Sequence, residues 1–135
     1  MFKRIDHIAI AVANLEETLA LLENVLGVTA DHREVIKDYA VELATLRLGE
    51  TAIELVSGTT ADSPISKYIA RRGPGIHHIA LEVSDIESAI QQVGAKAKMI
   101  DGQPRTGKDD SRVAFIHPGS TAGILFELVE NRRKD

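Results

Sequence analysis

The stretches Ile5-Asp6-His7-Ile8-Ala9-Ile10-Ala11-Val12 and Ile76-His77-His78-Ile79-Ala80-Leu81-Glu82-Val83 carry one pattern twice, at a spacing of 71 residues from His7 to His78. The likeness runs on past these stretches, with Asn14-Leu15-Glu16-Glu17 matched by Asp85-Ile86-Glu87-Ser88. A second pair, Ile53-Glu54-Leu55-Val56 and Phe126-Glu127-Leu128-Val129, recurs at a spacing of 73 residues from Glu54 to Glu127. Two blocks in the same order at nearly the same spacing identify a duplicated module of about 55 residues, and such a repeat sets the architecture before any single element does.

Each module reads as strand, helix and three strands. Ile5 to Val12 alternates, with Ile8, Ile10 and Val12 on one face and His7, Ala9 and Ala11 on the other, the period of a strand. Asn14 is a helix cap with Glu17 three residues on, and the apolar series Leu15, Leu19, Leu22, Leu26 predicts a helix stopped by Gly27. Strands are expected at about 28–36, 41–48 and 52–57, with Gly49-Glu50 turning between the last two. The second half repeats the order: a helix capped by Asp85 and ending at Gly94, a short strand near 98–100, then strands at 112–116 and 124–129. Between the modules, Ser63-Pro64 starts a short helix that runs to Arg72 and is broken by Gly73-Pro74-Gly75. The reading is one α+β domain over 1–135, built from two tandem βαβββ modules at about 1–57 and 76–131.

The composition agrees and narrows the function classes. A chain of 135 residues with 44% apolar content suits a single core. Sixteen basic residues against 20 acidic ones, a net charge of -4, exclude a generally basic nucleic-acid binder. No apolar run approaches the ~18 residues of a membrane span, and Met1 leads straight into a strand pattern rather than a signal-peptide core. A cytoplasmic protein with no nucleic-acid and no membrane partner is expected. Without cysteine there is no disulfide and no thiolate site, so any metal must be held by His, Asp or Glu.

The best-repeated blocks place polar residues where strands should be apolar: His7 and His78 in the first strand of each module, Glu54 and Glu127 in the last. Singly, a strand His is more often a packed or rim residue, and a Glu beside Leu55 is more often the solvent face. Together they read differently. Burying an unpaired carboxylate costs several kcal/mol, roughly, so two of them on one face call for a shared cation. Two His and two carboxylates suit a divalent metal of borderline hardness.

With Ile5-Asp6-His7-Ile8-Ala9, Asp62-Ser63-Pro64-Ile65-Ser66-Lys67-Tyr68-Ile69, Gly75-Ile76-His77-His78-Ile79-Ala80 and Val113-Ala114-Phe115-Ile116-His117-Pro118, the chain resembles the vicinal-oxygen-chelate superfamily. Within it, the resemblance is to the methylmalonyl-CoA epimerase family and covers nearly the whole chain. It implies a curved eight-stranded mixed sheet around a metal site, with Ile8, Ile10, Ile79 and Leu81 beneath the helices. The implied metal ligands are His7, Glu54, His78 and Glu127, holding Co, Zn, Ni or Mn; some family members have Gln where Glu54 stands. The implied reaction interconverts (R)- and (S)-methylmalonyl-CoA through an enolate, and the implied partners are an acyl-CoA thioester substrate and a second copy in a homodimer. Removing a proton from one face and returning it to the other asks for two carboxylates on opposite sides of the substrate, here Glu42 and Glu127. The repeat counterpart of Glu42 is Ala114, an asymmetry that suits one dedicated base opposite a Glu127 that is both ligand and base.

The chain departs from the family at Gly119, where Lys is usual, and at Gly107-Lys108-Asp109-Asp110, where Gly-Ala-His-Gly is usual. Backbone amides from Gly119 to Gly123 are then the expected cradle for a substrate carboxylate. Arg71, Arg72, Arg105, Lys108 and Arg112 are the residues available for the coenzyme A phosphates. Gln103–Ser111 is the expected mobile loop, His77 should point away from His78, His32 should lie on the surface, and Arg132-Arg133-Lys134 reads as a tail. Two other functions fit the same fold. Glyoxalase I shares the ligand set but usually carries aromatic and Arg motifs absent here, and a metal-free drug-binding relative would tend to lose the ligands that this chain keeps.

Overall fold

The computed structural model describes residues 1–132; Arg133 and Lys134 of the expected tail lie outside the described residues. The elements run β1 (Phe2–Ala11), α1 (Leu15–Leu26), β2 (His32–Ile36), β3 (Val41–Leu48), β4 (Thr51–Gly58), α2 (Pro64–Arg72), β5 (Gly75–Val83), α3 (Ile86–Gly94), β6 (Arg105–Thr106), β7 (Arg112–Ile116) and β8 (Phe126–Glu130). The βαβββ order therefore occurs twice, joined by α2. Tertiary contacts group Met1–His7 with the chain from His78 onward as one compact unit, and Ile8–His77 as the other. These units differ from the sequence modules because the boundaries fall inside β1 and β5.

In the Ile8–His77 unit the strands are ordered β2-β3-β4-β1, with antiparallel ladders from β2 to β3 and from β3 to β4. The Asn14 side chain accepts a 3.0 Å hydrogen bond from the Glu17 amide, and Gly27 ends α1 at φ 71°, a left-handed turn that glycine takes without strain. α1 presses Leu15 and Leu19 onto Val12, Ala44, Leu46 and Leu55. Ser63 caps α2 by accepting from the Ile65 and Ser66 amides, and α2 packs Ile65 with Ala11, Leu43 and Val56. Cross-strand partners share a face, so Ala44 with Leu55 and Leu43 with Val56 mark the two sides of this sheet: α1 covers the first and α2 the second.

In the other unit the order is β1-β5-β8-β7-β6, with β5 and β8 parallel and β8, β7 and β6 antiparallel in turn. Asp85 caps α3 at the Ser88 amide, and α3 sets Ile86, Ala89 and Ile90 against Ala114, Ile116 and Leu128. Because β1 belongs to both orders, the eight strands make one mixed sheet, as expected. Leu55 and Leu128 are fully buried, each worth roughly 1.5–3 kcal/mol of apolar transfer. Among the described residues, no helix is long and apolar enough to cross a membrane.

Three expectations are corrected. Residues 98–100 do not form a strand: Met99 makes a single bridge to Ile116, and the pairing strand beside β7 is β6. There the Lys98 amide is taken by the Ser120 hydroxyl, while the Lys98 carbonyl accepts from the His117 amide and the Ile100 amide donates to the Phe115 carbonyl, so the segment pairs with the β7 end over that one bridge. β2 starts at His32 rather than near Val28, since the Ala30 amide donates to the Glu23 carboxylate and Val28 packs at the margin of the α1 cluster. Ile8, Ile79 and Leu81 are half-buried rather than core, and Ile10 packs only at the margin of that cluster. The helices lie over β3–β4 and β7–β8, and it is Ala9, Ala11 and Ala80 that are fully covered on β1 and β5.

Candidate metal centre

Three strands of the Met1–His7 and His78-onward unit bring together three of the expected ligands. β1 carries His7, β5 carries His78 and β8 carries Glu127, at 4%, 8% and 7% exposure. The register explains the meeting: Ala80 pairs with Glu127 across the parallel β5–β8 ladder, so His78, two residues before Ala80, shares the Glu127 face. Ala80, with a single methyl, leaves room for the carboxylate. His7 Nε2 lies 3.3 Å and His78 Nε2 3.2 Å from Glu127 Oε1, and the two imidazole rings are 5.5 Å apart, centroid to centroid. Phe115, directly across from Glu127 on β7, sets its ring edge-on to His78 at 5.2 Å and restrains the imidazole.

The second nitrogen of His7 is also engaged: Nδ1 lies 2.7 Å from Asp6 Oδ2. With Nδ1 engaged by Asp6, His7 presents Nε2 to Glu127, as a donor in the metal-free protein and as a lone pair once a cation takes the place of its proton. Burial alone would raise the pKa of Glu127, but the charge of His78 and the hydrogen bonds from His7 and His78 outweigh it and bring the group down to about 2. Glu127 is thus held as a carboxylate. Two imidazole nitrogens, each 3.2–3.3 Å from one anionic oxygen, suit a small divalent cation. Bonds of about 2.0–2.2 Å at tetrahedral or octahedral angles separate neighbouring ligand atoms by about 3.0–3.5 Å. The donor set, nitrogen and carboxylate oxygen without sulfur, suits Co, Zn, Ni or Mn.

Glu54 belongs to the Ile8–His77 unit. It is 5% exposed on β4, paired across the ladder with buried Thr45 on the face of Leu43 and Val56. The solvent-face reading of this Glu is therefore excluded. Glu42 is a correction. Its cross-strand partners are Val35 and Ser57, and alternation along β3 puts it with Ala44 and Leu46, the side that α1 covers, opposite to Thr45 and Glu54. It lines a cavity of 190 Å³ with Leu15, Arg33 and Val35. One residue of strand parity separates the expected base from the face of Glu54. The counterpart Ala114 is likewise packed under a helix, α3.

The remaining expectations divide. His77 packs edge-on against Tyr68 of α2 at 4.7 Å, and His32 pairs with Glu34 at 2.9 Å. Of the basic residues, Arg112 is tied to Glu87 and Glu130, and Arg105 is held by Asp101 while lying over the Phe115 ring. The expected amide cradle at 119–123 is corrected: the Gly119 amide donates to His117 Nδ1, and those of Ser120, Thr121 and Gly123 donate to carbonyls of His117 and Pro118. Asp109 and Asp110 both adopt positive φ, 53° and 59°, in the short turn that replaces the family segment. Asp6 and Phe115 were missed as supports of the site. The adjacency Asp6-His7 was the available signal for the first, and the cross-strand position of Phe115 was not legible before the register was known.

The sequence profile of the glyoxalase/bleomycin resistance protein/dioxygenase superfamily matches residues 6–115. The uncharacterized protein YqjC of Bacillus subtilis (strain 168) is 36% identical over 94% of this chain and 91% of its own length. The mitochondrial methylmalonyl-CoA epimerase of Dictyostelium discoideum is 37% identical, over 94% of this chain and 78% of its own. Among solved structures, a Streptomyces coelicolor methylmalonyl-CoA epimerase variant in complex with 2-nitronate-propionyl-CoA superposes with a TM-score of 0.94 at 32% identity, covering 98% of this chain and 96% of that one.

Proposed function

Since the chain belongs to the glyoxalase/bleomycin resistance protein/dioxygenase superfamily and, within it, to the methylmalonyl-CoA epimerase family, we propose that it is a metal-dependent isomerase interconverting (R)- and (S)-methylmalonyl-CoA. The observation that carries this reading is the approach of His7 Nε2 and His78 Nε2 to within 3.2–3.3 Å of the buried Glu127 Oε1. These three hold the metal, and Glu54 is the fourth ligand by its repeat relation to Glu127 and its burial. A divalent ion bound there supplies Lewis-acid stabilisation of negative charge on substrate oxygens. Glu127, kept ionised, accepts the α-proton on its side of the substrate. A solvent proton added to the enolate on the opposite face completes the inversion, and Glu127 then loses its proton to solvent. A positioned carboxylate of this kind contributes roughly 10²–10⁴-fold. Glu42 has no part in that transfer, because its side chain lies on the α1 side of β3. A cytoplasmic homodimer belongs to the same reading, and light scattering at about 15 kDa would contradict the dimer.

The test is α-proton exchange. Protein loaded with Co²⁺ and mixed with (R)- or (S)-methylmalonyl-CoA in D₂O should incorporate deuterium at the α-carbon and equilibrate the two forms. EDTA-treated protein should do neither. No exchange by the cobalt-loaded protein, with methylglyoxal–glutathione turned over instead, would replace the proposal by glyoxalase I.

A further inference from the structure

Behind His7 lies a buried ring of polar groups that the proposed reaction does not use. Asp6, 5% exposed, faces His7 Nδ1 through Oδ2 at 2.7 Å. Its other oxygen accepts from Asn131 Nδ2 at 2.8 Å and lies 3.5 Å from Arg4 Nη2. The same Asn131 nitrogen donates to Glu82 Oε2 at 2.7 Å, and Glu82 Oε1 accepts from Arg4 Nε at 2.7 Å, which closes the ring. Glu82 is 3% exposed, in the middle of β5. Two buried carboxylates thus share one guanidinium. A buried carboxylate without its own cation is destabilising by several kcal/mol, roughly, and is retained where a positive charge lies close by. Asp6 is hydrogen-bonded to a ligand of the candidate centre, His7.

An imidazole has two nitrogens, and the partner of one decides which tautomer the other presents. A carboxylate on Nδ1 fixes the ring, exposes the Nε2 lone pair and makes it a stronger donor. We propose that Asp6 is a positioning residue of the metal centre, which accepts a hydrogen bond from the Nδ1–H of His7 and so turns the Nε2 lone pair onto the cation, with Asn131 and Arg4 holding the Asp6 carboxylate in place. This rests on the reading of His7 as a metal ligand. The competing account is purely structural, in which the ring only ties β1, β5 and the residue after β8 together, and it predicts a loss of stability without a selective loss of metal.

The experiment compares wild type, Asp6→Ala, Asp6→Asn and Glu82→Gln. In metal-free protein at mildly alkaline pH, long-range ¹⁵N–¹H spectra should show His7 as the Nδ1–H tautomer in wild type and Glu82→Gln, and as a tautomer mixture in Asp6→Ala. Co²⁺ affinity, read by competition with a chelator, should fall about 10–100-fold in Asp6→Ala, the usual effect of removing such a support, and less in Asp6→Asn, which keeps an acceptor oxygen. Glu82→Gln should unfold at lower urea concentration yet bind Co²⁺ within about twofold of wild type. Wild-type affinity in both Asp6 variants, or an Nε2–H tautomer in wild type, overturns the proposal while leaving the metal centre standing. Failure of the wild type itself to bind Co²⁺ overturns the metal reading and this inference with it. If Asp6→Ala does not fold, Asp6→Asn, the closer in shape, decides between the two accounts.

Discussion

Protonating Glu127 should cost the metal-free protein a calculable part of its stability. Its pKa falls from an ordinary 4.5 to about 2 in the folded chain, because the charge of His78 and the hydrogen bonds from both histidines outweigh the burial that would raise it. A group whose folded pKa is depressed contributes stability that is fully present above the unfolded value and is lost as pH falls through the folded one. The window here runs from about 4.5 down to about 2. At 1.36 kcal/mol per pH unit the whole contribution is ~3 kcal/mol. Asp6 adds a slope in a lower window. Burial would raise its pKa, but the hydrogen bonds from His7 and Asn131 hold it well below the usual carboxylate range. Glu127→Gln keeps the Asp6 slope and removes only that of Glu127, so a difference isolates one residue. The assay is urea unfolding in EDTA at pH 5.5, 4.5, 3.5 and 2.5. Wild type should lose about 2–3 kcal/mol more than Glu127→Gln across this range. Superimposable pH dependences would refute the close approach of the two imidazoles to this carboxylate.

Glu42→Gln should epimerise within about threefold of wild type, since its side chain lies on the α1 side of β3; a loss of two orders of magnitude would mean that it reaches the substrate. Gly58→Ala should lower thermal stability by about 1–3 kcal/mol, because the new methyl would overlap the Ser66 hydroxyl and crowd Ser63, the cap of α2; an unchanged melting temperature would contradict that packing. Leu128→Ala, which empties a fully buried position under α3, should cost about 2–5 kcal/mol by denaturant unfolding, and a loss under 1 would contradict the core assignment. Chelation of the isolated protein should abolish epimerisation, and added Co²⁺ should restore it; activity that survives exhaustive chelation would remove the metal from the proposal.

Much of this architecture is local chemistry and so could be read from the residues in order. Asn14, Ser63 and Asp85 each cap the helix they precede because a short polar side chain reaches the next turn's amides wherever the chain goes afterwards. Gly27 ends α1 for an equally local reason, its freedom at positive φ. The repeat carried the rest of the outline, since two similar sequences fold alike, and it marked His7, His78 and Glu127 without any distance being known. What the sequence could not supply was register. Shifting a strand by one residue exchanges its two faces, so Glu42 read equally well on either, and only the pairing of β3 with β4 put it under α1. The same holds for Asp6, Glu82 and Asn131, whose hydrogen-bonded ring joins residues 49 to 125 positions apart. Caps and repeats are fixed within a few residues of backbone, whereas the side of a strand and the partner of a buried charge are set only when distant segments pair.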